Sequence, residues 1–218
     1  MLIITTFLHA FLLVYAALFP VINPIGDAPI FLNLTQYCTG AQRHRLAITV
    51  GTGSFFLLLG SMFIGSDVMS FFGLQLPVLQ IGGGIIVAMM GWRLLNAPSA
   101  PAAGQGTGSN PRPVPDAFYP LILPLTIDPG VISVAITIGS NRPKGIGFER
   151  FLLLATGAII GLAAISVTIY LCYRFGERII ALLGDEGMQV IIRLSAFILF
   201  CIGIQILWTG WSELAPAP

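Results

Sequence analysis

The sequence predicts an all-α integral membrane protein with six transmembrane helices. Of its 218 residues, 56% are hydrophobic and 9% are charged, whereas a soluble domain carries about 25% charged residues because it must face water. The hydrophobic residues form six continuous stretches, each with the roughly 20 residues that a helix needs to cross a bilayer. Such runs differ from the strict alternation of a closed β-barrel, the other architecture that spans membranes.

Each of the six apolar stretches predicts one spanning helix. Their approximate limits are Leu2–Ile22, Leu46–Gly65, Leu76–Leu95, Phe118–Gly139, Phe151–Tyr173 and Met188–Trp208. The first stretch lacks the basic segment and cleavage site of a signal peptide, so we expect it to be retained. Because apolar residues continue to Leu34, this stretch is too long for one span. Either its first residues protrude as extra turns, or the segment re-enters the membrane as a hairpin.

The chain divides near its midpoint into two halves of three spans each. Residues 96–116 are rich in Gly, Pro, Ser and Ala without periodicity, which predicts a flexible linker. Residues 1–95 and 117–218 then form two three-helix repeats. Gln80 and Arg193 occupy matching positions near the start of the third span of each half.

Both halves open with a helix that the sequence interrupts. Asn23-Pro24 in the first half and Asp128-Pro129 in the second place a capping residue directly before proline. Proline breaks a helix and pushes the preceding residue out of α geometry, while Asn or Asp followed by Pro is a favoured helix start. In the first half, Asp27-Ala28-Pro29 is an alternative start, which would leave residues 23–27 unwound.

Three spans per half is an odd number, so the second half enters the membrane from the opposite side. This predicts a 3+3 inverted repeat with two broken helices meeting near the bilayer midplane, as in secondary transporters. Non-helical backbone at that depth is tolerated only inside protein or along a cavity.

Polar residues at the two breaks are the candidate site. Asp128 and Asp27 are acidic residues in or beside spans, so ion coupling competes with simple helix capping for each. Asn23 and Thr126 are candidates for hydrogen bonds to a solute, and the helix starts around Gly26 and Gly130 could hold an anionic group. The full predicted solute site is Asn23, Pro24, Gly26, Asp27, Thr126, Asp128, Pro129 and Gly130.

Composition argues against several other kinds of site. The formal net charge of +1 gives no basic face for nucleic acid, and we find no nucleotide-binding motif. The cysteines, Cys38, Cys172 and Cys201, lack metal-ligand spacing. We therefore predict no metal and no cofactor beyond a coupling Na⁺ or H⁺. The expected partners are the lipid bilayer and a small solute, and small-residue helix faces permit a homodimer.

The distribution of basic residues predicts the orientation of the chain. With both termini outside, Arg142, Lys144 and Arg150 lie outside and twice as many loop arginines lie inside. Cytoplasmic loops carry an excess of basic residues. We therefore expect a bacterial cytoplasmic (inner) membrane protein with both termini periplasmic.

Residues Phe19–Thr35 resemble the MarC family of bacterial and archaeal membrane proteins, which carries Asn-Pro-hydrophobic-Gly followed by Pro and an aromatic residue. Its second-half Gly-Pro-Gly-x-Ile motif corresponds to residues 128–132, and its Gly-rich third span and Arg193-Leu194 also match. The resemblance implies six spans and membership of a LysE-like group of exporters that is also called the neutral amino acid transporter family. Asp128 replaces the usual glycine, and this carboxylate could add ion coupling.

We therefore expect a secondary transporter or exporter of small neutral amino acids, driven by a Na⁺ or H⁺ gradient or downhill. A channel and a non-transporting assembly partner are the alternatives. An intramembrane aspartyl enzyme is the weakest hypothesis because Asp128 lacks the Gly-x-Gly-Asp context. We therefore predict that the protein is not an enzyme.

Overall fold

The computed structural model describes residues 2–96, 115–141 and 147–214, and all regular structure within these ranges is helical. Most of the predicted linker, together with Arg112, Arg142 and Lys144, lies outside the described residues. The division into two repeats stays a prediction. The helices are α1 Leu2–Ile22, α2 Pro24–Leu34, α3 Gly40–Phe71, α4 Leu76–Asn96, a π-helical turn Leu121–Thr126, α5 Pro129–Ser140, α6 Phe148–Arg174 and α7 Gly176–Leu214.

Four of these helices are long and apolar enough to cross a membrane, and α1 with α2 makes a fifth when counted as one bent span. The fifth combines Thr6–Ile22 with Pro24–Leu32 at an angle of 42°. A bend of this size leaves both helices running in broadly the same direction, so they do not form the predicted alternative, a hairpin. The described residues thus contain four or five candidate spans, judged by length and apolar composition, where the sequence predicted six. The difference lies in the stretch Phe118–Gly139, which divides into the π-helical turn and the 12-residue α5.

Large apolar side chains cover the outside of the helix bundle. Phe56 on α3 is 67% exposed, and Val167 on α6 and Ile204 on α7 are also exposed. In water these faces would be costly, but the bilayer is as apolar as they are. The interior is apolar too, with Leu18, Leu58, Leu121, Leu162, Ile165 and Ile169 fully buried. The described residues therefore form a bundle suited to lipid on its outside.

Glycines bring α4 and α7 into close contact along their lengths. Gly84 faces the α7 backbone near Gly203 and Leu207, while Gly91 faces Phe200. Residues later in α4 therefore contact residues earlier in α7, so the two helices are antiparallel. Close packing on glycine is typical of membrane helices, because van der Waals contact must replace the hydrophobic effect. Gly84 of the Gly-rich span therefore serves the packing of α4 against α7.

Polar contacts hold together one end of the bundle. A capping box starts α3, in which the Thr39 hydroxyl accepts from Gln42 N and the Gln42 side chain accepts from Thr39 N at 2.8 Å. Arg43 forms an ion pair with Glu177 at the start of α7. Arg43 also donates to the Thr35 carbonyl just after α2, at 3.2 Å. The end of the first broken helix is thereby tied to both α3 and α7.

Candidate functional site

The first helix break consists of a single residue. Asn23 separates α1 from α2 and has φ 49°, in the left-handed region. Helical hydrogen bonds continue on both sides, from Asn23 N to Phe19 O and from Asp27 N to Asn23 O, each 3.0 Å. Asn is one of the few residues that tolerates this conformation. The helix therefore restarts at Pro24, and the alternative start at Asp27-Ala28-Pro29, with residues 23–27 unwound, does not occur.

The Asn23 side chain folds over the first turn of α2. Asn23 is only 7% exposed, and a Cβ at Gly26 would overlap its amide group. Gly26 is therefore the residue that leaves room for the amide. Asp27 follows in the same turn and is partly exposed. Pro24 is buried.

The second break is longer and has a different backbone. The backbone N–H groups of Ile122, Leu123, Leu125 and Ile127 each bond to the fifth preceding carbonyl, as Ile127 N does to Ile122 O at 2.8 Å. Leu123 is non-helical inside this segment, and Ile127 is extended. Helices of the π type are rare and occur often at functional sites.

Asp128 caps the helix that follows. Its Oδ1 accepts a hydrogen bond from Val131 N at 2.7 Å, and Pro129 occupies the first turn of α5. Asp128 is 6% exposed, whereas Pro129 lies at the surface. A Cβ at Gly130 would overlap the side chain of Val87 on α4 and approach Asp128 Oδ1. The predicted helix start at Asp128-Pro129 is present, and Gly130 lets α5 approach α4.

Tyr173 on α6 joins the two breaks. Its ring stacks on Phe31 of α2 with centroids 4.4 Å apart, and its hydroxyl lies 2.9 Å from Thr126 Oγ1. Thr126 also donates to Leu121 O at 2.8 Å. Asp27 interacts electrostatically with both Tyr173 and Asp128. The structure therefore brings Asp27, Thr126 and Asp128 into one neighbourhood, and we call these residues, together with Asn23 at the first break, the break site.

The sequence did not single out Tyr173. A tyrosine near the end of an apolar span is usually interpreted as an interfacial anchor. Its position next to Arg174, at the end of α6, does not reveal that the Tyr173 side chain is fully buried. By contrast, Thr35 bonds to its own helix at Phe31 O, and Ser133 bonds to Leu79 O of α4. Both serve packing, and neither reaches the break site.

The chemistry of the break site is that of two carboxyl groups in apolar surroundings. Like charges that lie close together in a poorly solvated region repel each other, and a cation or proton between them relieves that repulsion. A metal centre would need more ligands, and the described ranges hold no group of three or more His, Cys, Asp and Glu side chains suited to one. The arrangement suits a monovalent cation, a proton or the ammonium group of a solute.

These features define a multi-span α-helical membrane protein in which Asn23, Thr126 and Asp128 are buried at helix breaks inside the bundle. A family model described as "MarC family integral membrane protein" matches residues 8–215. The inner membrane protein MarC of Citrobacter koseri is 31% identical over 204 residues, covering 90% of this chain and 91% of the relative. The MarC proteins of Salmonella typhi and Escherichia coli O157:H7 are 31% and 30% identical over the same shares.

The chain belongs to the MarC family. The family resemblance predicted from the two proline motifs is thus confirmed, and the match extends over nearly the whole chain. No solved structure matches the chain significantly.

Proposed function

We propose that this protein is a secondary transporter or exporter of a small solute in a bacterial inner membrane, with small neutral amino acids as its substrates and Na⁺ or H⁺ as a coupling ion. It is not proposed to be an enzyme. The observation that carries the proposal is the meeting of two interrupted helices at the break site, where Tyr173 stacks on Phe31 of α2 and bonds to Thr126 of the second break. Broken helices facing each other inside a bundle are the arrangement in which secondary transporters bind solutes and ions.

An inverted repeat is part of this proposal, and proline spacing supports it. Pro20, Pro24 and Pro29 recur after 100 residues as Pro120, Pro124 and Pro129. This register aligns Asn23 with Leu123, and both residues are non-helical. It also aligns α1 and α2 with the π-helical turn and α5.

The directions and contacts of the other helices agree with the same inverted repeat, whose halves are related by an approximate two-fold axis. In it, α3 corresponds to α6 and α4 to α7. Helices related by inversion must be antiparallel, as α4 and α7 are, and as α3 and α6 are where His44 lies by Tyr170 and Gly51 by Ser166. The contacts of α2 with α6 and of α2 with α7 have counterparts in α5 with α3 and α5 with α4, and the contact of α1 with α6 has its counterpart in the π-helical turn with α3.

The break-site residues have distinct roles in the proposed mechanism. Asp27 and Asp128 share a cation, which is the coupling ion or the ammonium of the amino acid. Asn23 supplies amide hydrogen bonds to the solute carboxylate. The α5 N-terminus is less available to that carboxylate than the sequence suggested, because Asp128 already bonds to Val131 N. Thr126 and Tyr173 hold the second break in position.

The packing at the break site favours a carrier over a channel. Asn23, Thr126 and Asp128 are each less than 10% exposed. A solute therefore reaches them only when helices move, which is the alternating access of carriers. The bonds of Arg43 to Glu177 and to Thr35 O lie at one end of the bundle and would have to rearrange if that end opens.

The test is uptake by the purified full chain in liposomes. Labelled alanine, glycine and serine are supplied with and without Na⁺ and pH gradients, to the unaltered protein and to Asp128→Asn and Asn23→Ala. Asp67→Asn is the matched control, because Asp67 is an exposed carboxylate near the end of α3. We expect gradient-dependent uptake that is lower in both break-site variants and unchanged in the control.

Two results would contradict the proposal. Absence of uptake by folded, inserted protein would remove these amino acids as substrates. Uptake by Asp128→Asn that equals the unaltered protein at every Na⁺ and pH value would remove Asp128 from coupling. Counterflow of labelled solute separates a carrier from a channel, since a carrier alone shows saturable exchange.

A further inference from the structure

A cavity of about 250 Å³ lies between α1, α4, α5 and α7, apart from the break site. Its walls are mainly apolar, with Ala16 and Val21 of α1, Val134 of α5, and Ile202 and Ile206 of α7 among them. Drug-sized ligands occupy sites of roughly 300–1,000 Å³. The cavity therefore suits a smaller molecule with an apolar body.

Two polar side chains of the cavity carry oxygens that no described residue satisfies. Gln80 of α4 is 2% exposed, and its Oε1 has no hydrogen-bond partner. Thr137 of α5 lines the same cavity with a buried and unpartnered Oγ1. A buried polar group without a partner costs free energy, so such groups call for an occupant or a function. Polar residues within the membrane are themselves functional-site candidates.

The other threonine of the cavity, Thr209, shows that a threonine there can bond to its own helix, which Thr137 does not do. The Thr209 hydroxyl donates to the Gln205 carbonyl one turn earlier, at 2.9 Å. Threonines in helices ordinarily bond this way, as Thr168 does to Ala164 O. Thr137 does not, although it too lies within a helix. Its hydroxyl therefore remains free to bond to something in the cavity.

The residues that line the cavity favour an uncharged ligand. No Asp, Glu, Lys, Arg or His is among the described residues that line the cavity. A charged group placed there would lose its hydration without gaining a counter-charge. An uncharged group that donates hydrogen bonds would satisfy Gln80 Oε1 and leave the apolar walls to contact the rest of the ligand.

We propose that this cavity is a binding site for a small uncharged molecule that carries a hydroxyl or a primary carboxamide. The donor bonds to Gln80 Oε1, and Thr137 makes the second hydrogen bond. The site is separate from the break site, although Pro20 and Val21 bring it close to Asn23 along α1. Its ligand binding is measured directly and does not depend on transport.

The test uses the full chain in lipid nanodiscs and saturation-transfer NMR with butyramide as the probe. Butyrate and propylammonium have the same propyl group with a charge and serve as comparison ligands. We expect the butyramide affinity to fall at least tenfold in Gln80→Leu, to fall in Thr137→Val, and to stay unchanged in Gln205→Leu. The last is the matched control, because Gln205 is exposed on the outside of α7.

Stability separates binding from a structural role. Gln80→Leu removes an unpaired polar atom, so we expect its melting temperature to be equal to or above that of the unaltered protein. A lower melting temperature with unchanged butyramide affinity would overturn the proposal, as would equal binding of butyrate and butyramide or no binding at all. If Gln80→Leu does not fold, Gln80→Met and Thr137→Val carry the same test.

Discussion

The two helix breaks share a proline pattern and differ in how the chain uses it. Prolines stand at equal spacing in both, at 20, 24 and 29 and again at 120, 124 and 129. In the first break one left-handed residue bends the helix by 42°. In the second, π-type hydrogen bonds, the non-helical Leu123 and the extended Ile127 interrupt it. The same three prolines thus allow a bend or a full interruption.

The residue before the third proline explains this difference. Asp128 offers a side-chain acceptor to Val131 N, so a new helix can begin at Pro129. The aligned residue in the first half is Ala28, which has no acceptor and is fully buried within α2. Capping residues stabilise a helix start, whereas alanine favours a helix interior. Prolines alone therefore do not decide where the helix is interrupted.

The two carboxylates of the break site also differ in their contacts, and neutralising them gives the largest expected effect on uptake. Asp128 is engaged in capping, whereas Asp27 interacts electrostatically with its neighbours and is partly exposed. We expect Asp27→Asn to lower gradient-driven uptake about tenfold or more, equivalent to about 1.4 kcal/mol of lost binding. Asp128→Asn should lower it less. Liposome uptake under a Na⁺ or pH gradient measures both, with Asp67→Asn as control.

An equal loss in the two variants would mean that the carboxylates act as one unit. A larger loss in Asp128→Asn would reverse the assignment and make the cap the main ion ligand.

The left-handed residue of the first break predicts the next effect. Asn23→Ala should destabilise the protein by about 1 kcal/mol or more, because a left-handed conformation costs ordinary residues roughly 1–2 kcal/mol. Asn23→Gly adopts φ 49° without that cost. Gly therefore keeps the bend while removing the amide. Thermal unfolding in mild detergent measures the difference in stability.

Uptake by the two Asn23 variants then separates the effect of the helix bend from the effect of the side-chain amide. If Asn23→Gly transports as well as the unaltered protein, the amide has no part in solute binding and the bend alone is needed. If both variants are equally stable, the left-handed conformation is not retained.

The cap of the second break predicts a smaller effect. Asp128→Ala should lower stability by about 1 kcal/mol, the usual cost of losing an N-cap side chain. Asp128→Asn retains an oxygen acceptor and should lose far less. Unfolding with increasing SDS compares the three proteins. Equal stability of Asp128→Ala and the unaltered protein would show that the helix passes through this position, as it does at Ala28.

The sequence predicted the fold where local rules decide and missed what distant packing decides. Apolar run length predicted the helical membrane class, and Asp128-Pro129 predicted the α5 start, because both depend on neighbouring residues. The predicted correspondence of Asn23-Pro24 with Asp128-Pro129 differs from the one that the proline spacing gives, in which Asn23 aligns with Leu123. Tyr173 could not be placed from the sequence, because its burial depends on how α6 packs against α2 and the second break. Similarly, nothing local reveals that Gln80 and Thr137 face one cavity.

The hydrogen bond between Thr126 and Tyr173 predicts the smallest effect in this comparison. It fastens the second break to α6, whereas Tyr173 contacts the first break by stacking on Phe31. A double-mutant cycle with Thr126→Val and Tyr173→Phe isolates this bond, since both changes remove hydroxyls and keep shape. Side-chain hydrogen bonds between membrane helices average about 0.6 kcal/mol, so we expect a coupling energy of that size in detergent unfolding. A coupling of zero would mean that Thr126 is satisfied by Leu121 O alone, and that stacking, not hydrogen bonding, joins α6 to the break site.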